Sequence, residues 1–162
     1  MVKSDLTAAE LVSTAARGTG TVGLLLLIFA LAVVPALVEE SMFRGFVTAA
    51  FAKSKLAAFV FPTLLFGVFH LEPTQAVATM VLGAGFALAR LWTGSLVPAI
   101  IAHAAHNTTV LLAVRYGSEP PPSGGKSIEL LPIALGLLVS ALGVVLLARA
   151  RRSAPDQALT AS

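Results

Sequence analysis

Pro35-Ala36-Leu37-Val38-Glu39-Glu40-Ser41-Met42-Phe43-Arg44 places two carboxylates and a guanidinium inside an otherwise apolar run. The twenty-one residues before Glu39, 18–38, carry no charge and approach the length of one membrane span. A charged side chain inside such a span costs about 2.5–3.5 kcal/mol on insertion scales, so each is a functional candidate by default. On a helix Glu40 and Arg44 are i and i+4 with the acid on the N-terminal side, the better orientation for an ion pair. Glu39 is turned about 100° away and lies outside that pair. One carboxylate reads as structural and its neighbour as free for chemistry. Pro35 cannot donate to the helix ladder and crowds the preceding turn, which predicts a kink just upstream of Glu39.

Working outward, the composition fits that stretch. The chain has 162 residues, 57% hydrophobic and 12% charged, with a mean hydropathy of +0.90. Soluble domains carry about 25% charged residues, so this is the balance of an integral, multi-pass membrane protein, with the cell membrane as its expected place. There is no cysteine, which excludes disulfides and thiolate metal sites. The net charge of +3 is spread over segment ends. That pattern anchors a chain at lipid head groups, so the bilayer is an expected partner and nucleic acid is not.

The expected architecture is all-α, a polytopic transmembrane bundle of about five spanning helices. Residues 1–17 form a polar or interfacial lead, with Thr7-Ala8-Ala9-Glu10 at capping-box spacing. Helices are predicted over about 21–52, 56–71, 74–91 and 95–114, separated at Lys53-Ser54-Lys55, Glu72-Pro73 and Thr93-Gly94. Residues 18–115 would thus form a membrane core. A Pro/Gly loop follows over 116–127, a last spanning helix within 128–149, and a disordered tail over 150–162. A cleavable signal peptide ending near Val34-Pro35-Ala36 is the competing reading of the first span. The long polar lead and the glutamates that follow at once weigh against it.

A depth count tests whether the scattered polar groups share a site. Glu39 and His70 both lie about 22–24 Å from the turn at Ser54, at about 1.5 Å per residue. His103 is about 14 Å and Asn107 about 20 Å from the turn at Gly94. Glu39, Arg44, His70, His103 and Asn107 thus fall in one band about 10 Å deep. A lone intramembrane His or Asn is often only an interhelical hydrogen bond, and His106, off the His103/Asn107 face, reads that way. Five polar groups at one depth read as one site, because Leu or Ala would serve stability at less cost. Phe43 and Phe66 read as packing residues.

A carboxylate and an imidazole sharing a water form a general-base pair. His103 and Asn107, i and i+4 on one face, present two donors in one direction, as a developing oxyanion requires. No serine is placed as a nucleophile, so hydrolysis by activated water is the natural reaction class. Glu39, His70 and His103 also make a candidate three-ligand zinc site with an open position. The sequence has no His-Glu-x-x-His helix, so a metal-free mechanism stands equally beside Zn²⁺.

Glu-Glu-x-x-x-Arg at 39–44, Phe-x-x-x-His at 66–70 and His-x-x-x-Asn at 103–107 occur in this order with short gaps. The trio resembles the CAAX prenyl protease type II and bacteriocin-processing (CPBP, or Abi) family of intramembrane endopeptidases, over about residues 30–110. Trp92-Thr93-Gly94-Ser95-Leu96-Val97-Pro98 is also family-like. The resemblance implies Glu39 as the water-activating base, His70 as its partner, and His103 with Asn107 as oxyanion binders. Glu40 and Arg44 would hold the site's architecture. The substrate would be a membrane-associated peptide or protein, in some members prenylated at a CAAX terminus. Members have been described both as metalloproteases and as glutamate proteases, and many carry further helices ahead of the first motif. Two other readings use the same polar core: a non-catalytic immunity or scaffold protein, and a proton- or metal-coupled transporter. Five helices without a repeat are few for a carrier. Counting Lys53, Lys55, Arg90 and the Arg149–Arg152 cluster on one side predicts a cytoplasmic C-terminus and an outer N-terminus, whereas the depth count then sets the site nearer the outer face and the resemblance implies work from the cytosolic side.

Overall fold

The computed structural model describes residues 8–71 and 73–117, with residues 138 and 145 beyond them. The described chain is helical, without a strand: α1 (Ala8–Gly18), α2 (Thr21–Ala50), α3 (Lys55–Val68), α4 (Pro73–Thr93) and α5 (Val97–Tyr116). The helix expected over 128–149, apart from residues 138 and 145, and the tail after it lie outside the described residues, as does the loop after Gly117. Among the described residues three helices are long and apolar enough to cross a bilayer: α2, α4 from Ala76, and α5. The fold is the all-α, polytopic bundle that the composition implied.

Helix α2 is apolar almost all round, with Val22, Leu25, Leu26, Phe29 and Val38 exposed, as befits a helix facing lipid. The break expected at Pro35 takes the form of π-turns. Phe29–Val33 is π-helical, because the proline ring and its missing N–H disturb the turn that precedes it. A second π segment, Ser41–Val47, follows Glu40 directly, and Thr48, just after it, donates through Oγ1 to the Phe43 carbonyl at 3.0 Å. These wider turns rise less per residue than α-turns. They bring Glu39 and Glu40 nearer to the Ser54 surface than a uniform count gives.

Helix α3 starts under a cap, Ser54 Oγ accepting from the Ala57 N–H at 3.3 Å. Its 14 residues span about 21 Å, short of the roughly 30 Å hydrocarbon core. The chain turns back at Leu71, in the left-handed region at φ 55°, and α4 returns antiparallel against α3. Gly94, at φ 71°, makes the next turn, a conformation that glycine adopts without a Cβ penalty. Helix α5 then runs back past α2 and α4. The core is a cluster of Phe43, Phe66, Leu82, Phe86 and Ala99 at the meeting of α2, α3, α4 and α5.

Candidate active site

The α-helical turn ending at Glu40 and the π segment after it, which holds Arg44, carry the charges into this aromatic core. Arg44 donates through NH1 to Glu40 Oε1 at 3.0 Å, and both side chains are 0% exposed. The expected ion pair is therefore present, in a dry setting. Arg44 also donates through NH2 to the Gly83 carbonyl of α4 at 2.9 Å. Its guanidinium lies over the Phe66 ring at 4.3 Å, with Phe86 at 5.5 Å and Phe43 at 5.9 Å. Three aromatic faces, one carboxylate and one carbonyl together accommodate a cation that hydrocarbon alone would exclude.

His103 arrives from α5, and its Nδ1 lies 2.8 Å from the same Glu40 Oε1. An ionised carboxylate only accepts, so Nδ1 carries the proton of this bond. Nε2 then faces the other acid, 3.9 Å from Glu39 Oε2. Phe86 stacks on the imidazole at 5.0 Å and 12°, and Phe66 meets it edge-on at 5.6 Å. The two neighbouring glutamates differ sharply in setting. Glu40 is fully buried and holds two donors on one oxygen, with Oε2 lacking a partner among the described residues. The Glu39 side chain is 31% exposed and lies outside the arginine pair.

His70 follows the end of α3, where its Nδ1 lies 2.8 Å from the Phe66 carbonyl. A carbonyl can only accept, so Nδ1 carries hydrogen and Nε2 is the nitrogen left for other work. The His70 ring meets the Phe66 ring edge-on at 4.9 Å. Phe66 thus touches Arg44, His70 and His103 together. Asn107 sits one turn beyond His103 on α5, half-buried and without a side-chain hydrogen bond among the described residues. His106 has a buried Nδ1 with no hydrogen-bond partner among the described residues. Among the described residues no three His, Cys, Asp or Glu side chains are gathered as a metal site needs.

Several participants escaped the sequence reading. The bond from His103 to Glu40 joins residues 63 apart, and the depth count set Glu39, the neighbour of Glu40, about 8 Å from the depth of His103. The π-turns of α2 account for part of that difference. Gly83 and Phe86 carry no charge and belong to none of the three motifs. Their i, i+3 spacing was the available signal, since it puts both on one face of α4. Phe66 is a core residue as expected, and also the face on which Arg44 rests.

Chemically, this arrangement keeps one acid, Glu39, and one ring nitrogen, His103 Nε2, facing each other beside a structural ion pair. A family model described as Rce1-like, Type II CAAX prenyl endopeptidase Rce1-like, matches residues 21–109, a region that contains all of these side chains. No curated protein and no solved structure matches the chain.

Proposed function

The chain belongs to the Rce1-like family of type II CAAX prenyl endopeptidases, and from that premise we propose that it hydrolyses a peptide bond of a membrane-associated substrate with water activated at Glu39. The observation that carries this reading is the division between adjacent acids. Arg44 and His103 occupy Glu40, while Glu39, partly exposed, faces a nitrogen of His103. Glu39 takes a proton from water, and the oxygen adds to the scissile carbonyl. Asn107 Nδ2–H is a donor to the resulting oxyanion in any protonation state. His103 can donate there only from Nε2, and only when doubly protonated, because Glu40 holds the Nδ1 proton. Collapse of the intermediate breaks the C–N bond, and the proton held by Glu39 passes to the leaving amine. His70, with Nδ1 held by the Phe66 carbonyl, offers Nε2 as an acceptor for the attacking water.

Glu39, His70 and His103 are the right donor types for Zn²⁺, which would supply Lewis-acid polarisation of a water, but they are not gathered as a metal site needs, so no step is routed through a metal. The test uses detergent-solubilised protein and quenched peptides, some prenylated at a C-terminal CAAX cysteine. Wild type and Glu39→Ala are each assayed with and without chelator. Cleavage that survives the chelator and is lost in Glu39→Ala assigns the water to the glutamate. Loss on chelation with recovery on added zinc assigns it to the metal. Wild type inert across the panel, with Glu39→Ala equally inert, would favour a non-catalytic membrane partner.

A further inference from the structure

Gly83 has no place in the motif trio, yet its backbone is the far anchor of the charged core. Its carbonyl accepts from Arg44 NH2 at 2.9 Å, in a helix whose carbonyls have a second lone pair available. A Cβ at this position would stand 2.8 Å from Arg44 NH2 and 3.0 Å from Phe66 Cδ1. Any side chain here therefore pushes on the guanidinium and on the ring beneath it. The links run onward without a gap: Arg44 NH1 to Glu40 Oε1 at 3.0 Å, then Glu40 Oε1 to His103 Nδ1 at 2.8 Å. Phe86, three residues along α4, lies flat against that same imidazole.

We propose that Gly83 is a positioning residue of the hydrolytic site: its bare Cα and its carbonyl seat Arg44, which through Glu40 fixes His103 with Nδ1 protonated and Nε2 turned to Glu39. The geometric part stands on the contacts alone; the effect on turnover rests on the proposed hydrolysis.

The test is Gly83→Ala in the full chain. Alanine favours a helix over glycine, so α4 itself is retained. Nitrogen-15 spectra of histidine-labelled protein report which ring nitrogen carries hydrogen, and with three histidines in the chain, loss of signal in His103→Gln identifies the ring concerned. Wild type is expected to show His103 protonated at Nδ1, and Gly83→Ala to show a mixture. In the cleavage assay kcat should fall ten-fold or more with KM within two-fold. Arg44→Lys keeps the charge beside Glu40 but replaces the two nitrogens of the fork by one, which cannot hold Glu40 and the Gly83 carbonyl in the same geometry, so it should give the same His103 signature. In that background Gly83→Ala should cost less than two-fold further. Gly45→Ala is the control, since its Cβ would meet Leu96 Cδ1 at an ordinary 3.6 Å; it should leave spectrum and rate unchanged.

An unchanged His103 signal in folded Gly83→Ala, or losses from Gly83→Ala and Arg44→Lys that simply multiply, would overturn the proposal. Should Gly83→Ala not fold, the His103 signal of Arg44→Lys decides: unchanged, it contradicts the link. A wild type without cleavage counts against the hydrolase reading only, because the spectra still decide the positioning role.

Discussion

At the scale of the residue, two adjacent glutamates have been given different work by their surroundings. Glu40 lies at 0% exposure between a guanidinium and an imidazole, so removing it leaves Arg44 as an uncompensated charge. Breaking a buried pair in this way costs about 3–5 kcal/mol. Glu40→Ala is expected to lower resistance to denaturant-induced unfolding in detergent by that order, and Glu39→Ala by much less, because Glu39 is partly exposed and outside the arginine pair. The pairing of Glu40 with Arg44 was legible in the sequence, since i, i+4 spacing is a local property of any helix. The hold of Glu40 on His103 was not. It depends on where a helix 63 residues away passes, and on π-turns that shift the register of α2.

At the scale of the element, α3 and α4 pack too closely for a side chain at Gly67. A Cβ there would come within 2.3 Å of Met80 Cγ and 2.8 Å of the Ala76 carbonyl oxygen. The methionine can move, but the carbonyl belongs to helix backbone. Gly67→Ala should therefore force the helices apart and destabilise the protein by about 1–3 kcal/mol, the usual range for overpacking. His70 is three residues further on, so cleavage should fall as well, measured against an unfolding curve of the same variant. Helix positions were readable from charge, proline and glycine punctuation, and the ends of α3, α4 and α5 lie within about three residues of expectation. The shortness of α3 was less visible. Phe69 and Leu71 continue its apolar pattern, while the chain leaves the helix at Val68 and turns back through the left-handed Leu71.

At the scale of the whole molecule, the bundle is tied together at two levels. The aromatic core with its ion pair joins α2, α3, α4 and α5. At the other level, Arg115 of α5 donates to the carbonyls of Ala16 and Thr19, which closes the C-terminal end of α1. Arg115→Ala should release α1: hydrogen exchange over residues 8–18 should accelerate, while cleavage changes by no more than about two-fold. The membrane character and the all-helical class were legible from hydropathy alone. The depth count read Glu39, Arg44 and His103 as one site, whereas the bond of His103 to Glu40 needed the fold, because it arises from helices that meet in space. The most direct measurement is single-turnover cleavage of a prenylated CAAX peptide by Glu39→Gln beside wild type, with the unfolding midpoint of each recorded. The expected result is wild-type hydrolysis reduced at least about 100-fold in Glu39→Gln, at an unchanged midpoint. Hydrolysis by Glu39→Gln at the wild-type rate would contradict the assignment of the activated water to Glu39.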